Sequence, residues 1–263
     1  MTTAVLLATV AFLVSILTLV AGFGLGTLLL PAFALFLPPA VAVASTAIVH
    51  FANNIFKVTL LARHARRDVV IRFGIPAIGA ALAGAYVLSA LPSDTTIATW
   101  EAAGRRFAVT PVKLVLGVLI VAFGLLELLP VMRRFRAAPK HLPIGGLIAG
   151  FFGGLSGHQG ALRAAFLAPL GLSPTEFAAT QSVLGLMVDA ARLIVYAATF
   201  LTAGDGTVAA SIPWRLVAIA TAAALAGAWV GRTLLPRMTI THLHLLVGVL
   251  LLVVGTSLAA GVI

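Results

Sequence analysis

Residues 153–160, Gly153-Gly154-Leu155-Ser156-Gly157-His158-Gln159-Gly160, interrupt an apolar stretch that begins at Pro143 and resumes as far as Leu172. Four glycines with a polar centre cannot continue a helix smoothly. The pieces on either side, Pro143 to Leu155 and Gly160 to Leu172, are each too short for a hydrocarbon core that needs about 20 apolar residues to cross. They read as the two arms of a broken helix. Backbone that is non-helical at membrane depth is tolerated only where it lines a cavity or is buried in protein. A second break of the same kind, Gly22-Phe23-Gly24-Leu25-Gly26, precedes another short apolar piece, Leu25 to Leu37.

The surroundings of both breaks place them in a bilayer. No Asp, Glu, Lys or Arg occurs from Met1 to Phe56, from Phe73 to Ser93 or from Met238 onward, and the chain is 61% hydrophobic and 9% charged. Too little polar surface remains to cover a water-soluble core of 263 residues. The net charge of +10 comes from basic residues gathered in short loops, as membrane orientation requires, so nucleic acid is not an expected partner. Without cysteine there are no disulfides, thiolate metal sites or thiol catalysis. The first apolar run lacks a basic leader and is too long for a cleaved signal, so it is expected to belong to the fold.

Charged and Pro/Gly breaks divide the chain into helices near Ala4 to Ala21, Leu25 to Leu37, Pro39 to Leu61, Val69 to Leu91, Pro111 to Val131, Pro143 to Leu155, Gly160 to Leu172, Pro174 to Phe200, Pro213 to Leu235 and Ile240 to Gly261. Sliding the sequence by 135 residues lays Leu37-Pro38-Pro39 on Leu172-Ser173-Pro174, Asn54 on Asp189, Lys57 on Arg192 and the Gly22 turn on the Gly157 turn. With a small gap, Ala81-Leu82-Ala83-Gly84-Ala85-Tyr86-Val87 then meets Ala224-Leu225-Ala226-Gly227-Ala228-Trp229-Val230. Alanine- and glycine-rich helices also align by chance, but the matched polar positions favour duplication. The expected fold is an all-α polytopic membrane protein in one membrane domain, 1–263. Its two repeats, about 1–135 and 142–263, each comprise a broken or re-entrant helix hairpin and three transmembrane helices.

Arg63, Arg66, Arg67 and Arg72 mark one cytoplasmic loop, and Arg133, Arg134, Arg136 and Lys140 another. The segment around Asp205 is then outside and the Arg232 to Arg237 turn inside. By this count the N- and C-termini lie outside the cytoplasmic membrane, and the two halves are inverted. Inverted repeats with broken helices characterise secondary transporters, whose sites lie near the midplane where the breaks meet.

The candidate substrate-binding residues are therefore those of the two turns, Gly22, Gly24, Gly26, Gly157, His158, Gln159 and Gly160, with Arg163 one turn into the following helix. Unpaired N–H groups and the positive dipole end at such a turn favour an anion. Close helix packing is the alternative use of each glycine. Arg163 adds a full charge and a bidentate donor set, unless it pairs structurally with Asp189. His158 and Gln159 either donate to an oxyanion or cap the broken helix, and His158 is also a candidate proton carrier. Asp189 and Arg192, three apart on one helical face, neutralise one another, or Asp189 exchanges a coupling proton. Asn54 and Lys57 are their counterparts in the first half. Ser45, Thr46, Thr180 and Gln181 are candidates to line the cavity, although hydroxyls often bond their own helix, and His50 faces the same choice. Ser173-Pro174-Thr175-Glu176 reads as a capping box. No Walker motif, nucleophile elbow or HExxH is present, and no cofactor or metal is expected.

The glycine-rich turn before Pro31, its duplicate at Gly157-His158-Gln159-Gly160 and the repeated Leu-x-Pro lead into the next helix resemble the TauE/SafE sulfite exporter family over essentially the whole chain. The resemblance implies transport of sulfite, thiosulfate, sulfoacetate or other organosulfur anions. Two departures, His158-Gln159 where further glycines are frequent and the presence of Arg163, leave room for a different anion. A passive anion channel and a membrane-embedded enzyme using His158 and Asp189 are the competing readings.

Overall fold

Proline and glycine punctuate an otherwise apolar chain, and several helices begin or end where they fall. The computed structural model describes residues 2–21, 25–92, 95–128, 137–202, 210–234 and 241–263. The first helices are α1 (Thr2–Ala21), α2 (Leu25–Ala34), α3 (Pro39–Leu61) and α4 (Arg67–Ala90). After a β-hairpin of β1 (Ala98–Ala102) and β2 (Arg105–Val109) comes α5 (Pro111–Leu128). The rest are α6 (Leu142–Ser156), α7 (Gly160–Leu167), α8 (Pro174–Thr202), α9 (Trp214–Leu234) and α10 (Thr241–Ala259). Proline opens α3 and α5, where its missing N–H costs nothing. Ser173 and Glu176 form the expected capping box: the Ser173 N–H donates to Glu176 Oε2 at 2.9 Å and the Glu176 N–H returns to Ser173 Oγ at 3.3 Å.

Among the described residues, five helices are long and apolar enough to cross a membrane: α3 with its 3-10 extension to His64, α4, α5, α8 and α9. Outward-facing Ile71, Ile75, Tyr86, Ile194, Trp229 and Val253 are exposed, whereas Lys57, Arg163, Asp189 and Arg192 are buried. This apolar exterior around a charged interior is the polarity a bilayer demands. By contrast, the ten residues of α2 and eight of α7 rise only about 15 and 12 Å at 1.5 Å per residue. The short arms are shorter than the sequence suggested: α2 stops at Ala34, and beyond α7 a 3-10 turn, Ala168–Leu170, runs into Gly171 at φ 66°.

The all-α expectation needs one correction, at residues 98–109. Ala103 and Gly104 both adopt positive φ, 51° and 72°, so the chain reverses in the primed two-residue turn that suits strand twist. Trp100 pairs with Phe107 across the ladder, with ring centroids 4.6 Å apart. The Trp100 indole N–H donates to the carbonyl of Ala260 at 2.7 Å, which ties the hairpin to the C-terminal end of α10. A cavity bordered by residues 34–41, Thr110, Lys113, Ser211 and Ile263 lies on this same face. The Arg66 turn lies on the opposite face, a full α4 away. There Arg66 is hydrogen-bonded to Asp68, which raises its guanidinium above its ordinary value.

Helix packing follows small residues. α4 lies along α6, α1 along α9, α5 along α10 and α3 along α8, with α4 also on α8 and α3 on α9. At the α4–α6 crossing, a Cβ on Gly146, Gly150 or Gly154 would come within 2.1, 2.3 or 2.0 Å of the carbonyl oxygen of Phe73, Ala77 or Ala81. The helix backbones therefore touch, as glycine stripes allow in membranes. The starts of α2 and α7, at Leu25 and Gly160, are 135 residues apart, as are the prolines that open α3 and α8.

Candidate anion site

Five elements converge on one small cavity. Its walls are Thr18 from α1, Gly26 and Thr27 from the start of α2, His50, Asn54 and Lys57 from α3, Gly157, Gln159, Gly160 and Arg163 from the α6–α7 turn, and Ala178, Gln181 and Ser182 from α8. The volume, about 20 Å³, holds about one water. The two short helices meet here N-terminus to N-terminus. A Cβ on Gly26 would sit 2.9 Å from the carbonyl oxygen of Gly157. Gly157 itself ends α6 at φ 84°, and a Cβ there would press on Arg192 Nη1 at 2.7 Å. Only glycine meets both conditions without strain. The first N–H groups of a helix have no intrahelical acceptor, so two positive helix ends border the same cavity.

Arg163 is 3% exposed and is held by neutral groups. Its Nε donates to Gln181 Oε1 at 2.7 Å and its Nη1 to Gln159 Oε1 at 2.8 Å. Lys57, also 3% exposed, lines the cavity one turn beyond Asn54. Among the described residues, neither cation has a carboxylate in salt-bridge contact. Gln181 Nε2 is a further donor without an acceptor among the described residues.

Asp189, on α8, is the hub of a second group that shares Gln159 with the first. It is ion-paired with Arg192 at 2.8 Å, both side chains being fully buried. Its Oδ2 accepts from Asn54 Nδ2 at 2.7 Å and lies 2.6 Å from His50 Nδ1, a geometry that assigns the imidazole proton to Nδ1. Gln159 Nε2 makes a longer contact of 3.4 Å to Oδ1. Asn54 and Asp189, the positions superposed by the 135-residue slide, thus bond each other directly. Arg163 pairs with the two glutamines and not with Asp189.

Of the residues singled out in the sequence, the structure brings Gly26, Gly157, Gln159, Gly160, Arg163, Asn54, Lys57 and Gln181 to the cavity wall, with Asp189 and Arg192 directly behind it. His158 is not on the wall. Its ring stacks on Phe123 of α5, 5.1 Å between centroids, and its Nδ1 contacts Ser156 Oγ at 3.1 Å. Ser45, Thr46 and Thr180 are buried away from the cavity, and Thr180 Oγ1 accepts the Arg66 N–H at 3.0 Å. Gly22 and Gly24 lie outside the described residues. The sequence reading understated His50, which sits one turn before Asn54 on the same helix face, and missed Thr18, Thr27 and Ser182. Among the described residues, no group of three or more His, Asp or Glu is disposed to hold a metal.

The family model described as Sulfite exporter TauE/SafE matches residues 7–258, nearly the whole chain. The chain belongs to the TauE/SafE sulfite exporter family. No curated protein and no solved structure matches it. Membership makes this a multi-pass membrane protein of a transporter family. The region matched contains both glycine-rich stretches, 22–26 and 153–160, and every described cavity residue.

Proposed function

We propose that this chain is a secondary transporter that exports small sulfur oxyanions, such as sulfite, thiosulfate or an organosulfonate, across the cytoplasmic membrane. One observation carries the reading. Two cations, Lys57 and Arg163, are buried at membrane depth beside two helix N-termini, and among the described residues neither has a carboxylate in salt-bridge contact. Unpaired charge in a bilayer is costly, and an oxyanion is the complement that relieves it. A substrate would replace the glutamine oxygens on the Arg163 fork, taking a bidentate pair of N–H donors while Lys57 supplies a second charge.

Alternating access by inverted halves fits the packing. Exchanging the first five helices with the last five turns the α1–α9 contact into α6–α4 and the α3–α9 contact into α8–α4, while α3–α8 and α5–α10 map onto themselves. Asn54 bonded to Asp189 lies where the axis relating the halves would pass. On this reading residues 1–135 and 142–263 rock about the α3–α8 contact, and the termini are outside. His50 and Asp189 are the pair positioned to carry a coupling proton. A passive channel needs a continuous wet path, and a cavity of only about 20 Å³ favours a carrier.

The test is sulfite flux from proteoliposomes under an imposed proton gradient. Arg163→Ala is expected to reduce flux to the protein-free background while the protein elutes as a folded species. Undiminished flux would remove Arg163 from the site and the reading with it.

A further inference from the structure

The cavity's charge count specifies more than an anion. Three cations, Lys57, Arg163 and Arg192, stand against one carboxylate, Asp189, in this buried cluster. His50, whose Nδ1 proton faces Asp189, is neutral in this count. Arg192 and Asp189 cancel at 2.8 Å, so two positive charges remain. Both belong to cavity-lining residues. The other described acids are elsewhere. Asp68 and Glu176 are exposed at the Arg66 face, Glu101 is on the hairpin, and Glu127, on α5, does not line the cavity.

We propose that the site selects doubly charged oxyanions over singly charged ones of the same shape, and that Lys57 sets this preference. The proposal rests on the anion-transport reading above and specifies its substrate class. A dianion leaves the occupied cavity neutral. A monoanion leaves one of the two charges unmatched in a low-dielectric interior, where an uncompensated charge is strongly unfavourable. The two cations differ in what they recognise. The planar Arg163 fork, already oriented by Gln159 and Gln181, reads the geometry of two adjacent oxygens. The Lys57 ammonium is a point charge with rotatable donors and reads charge with little demand on shape. Removing Lys57 therefore changes which charge state is preferred while leaving the shape-reading group in place.

Thiosulfate and methanesulfonate make the comparison cleanly. Each is an SO3 head with one further substituent, and they differ by one charge. Affinities would be measured on the purified full chain in detergent by ligand-induced thermal stabilisation, at constant ionic strength so that bulk screening is matched. The wild-type protein is expected to bind thiosulfate at least about tenfold more tightly than methanesulfonate, a margin of about 1.4 kcal/mol. Lys57→Met is expected to abolish that preference mainly by weakening thiosulfate, and Lys57→Arg, which keeps the charge, to preserve it. Lys57→Gln replaces the methionine variant if that one does not assemble. Equal wild-type affinities, or an unchanged ratio in the neutral variants, would overturn the dianion proposal and leave the anion site standing. Binding of neither anion would overturn both.

Discussion

Helices α3 and α8 occupy equivalent places in the 135-residue slide and pack against each other, yet they handle charge differently. α8 carries Asp189 and Arg192 three residues apart and closes them on one another at 2.8 Å. α3 carries Asn54 and Lys57 at the same spacing, and among the described residues no carboxylate is in salt-bridge contact with its cation. The side chains of Asn54 and Asp189 have nearly the same shape and differ by one formal charge. The α8 pair is electrically closed. The α3 pair is open, and both of its residues line the cavity.

The largest effect should come from opening the closed pair. Asp189→Asn keeps the side-chain shape but strands the fully buried Arg192, and breaking a buried pair from one side costs about 3–5 kcal/mol. Thermal unfolding in detergent should drop steeply, or the protein should fail to elute as a single species. The corresponding change at the open pair, Asn54→Ala, removes a hydrogen bond to a carboxylate and should cost about 1.5–3 kcal/mol. An Asn54→Ala penalty equal to that of Asp189→Asn would mean that the two pairs are not electrically distinct.

A smaller contrast separates Thr180 from its counterpart Ser45. Thr180 Oγ1 accepts the Arg66 N–H and so fastens α8 to the turn between α3 and α4. Ser45 Oγ is buried with no partner among the described residues. Thr180→Val should therefore destabilise by about 1 kcal/mol, whereas Ser45→Ala should be close to neutral. The two variants can be compared by melting temperature in one detergent, and equal shifts would contradict the assignment of Thr180 as a tether.

Much of the framework was legible because its signals are local. Uncharged length marks a span, proline opens α3, α5 and α8, and the glycines at 153–160 break a helix wherever the surrounding fold puts them. The family resemblance, carried by the same turns, agrees with the match over residues 7–258. The hairpin was not legible, because Ala103-Gly104 is a weaker turn signal than Asn-Gly, and the twelve residues around it read equally well as loop. Nor was the direction of side chains at the second break. His158 and Gln159 are adjacent, but the turn after Gly157 sends one ring onto Phe123 and the other amide to Arg163, an outcome decided by α5 and α8 and not by the turn itself. The pairing of Arg163 with glutamines, in preference to the nearby Asp189, likewise depends on Arg192 having claimed the carboxylate first.

The central claim is that Lys57 and Arg163 together hold the anion. Equilibrium binding of labelled sulfite to the purified Lys57→Met/Arg163→Gln double variant tests it most directly, alongside the wild-type protein and a check of folding by elution profile. Saturable binding to the wild type and none to the folded double variant is the predicted result. Wild-type affinity in the double variant would contradict the account.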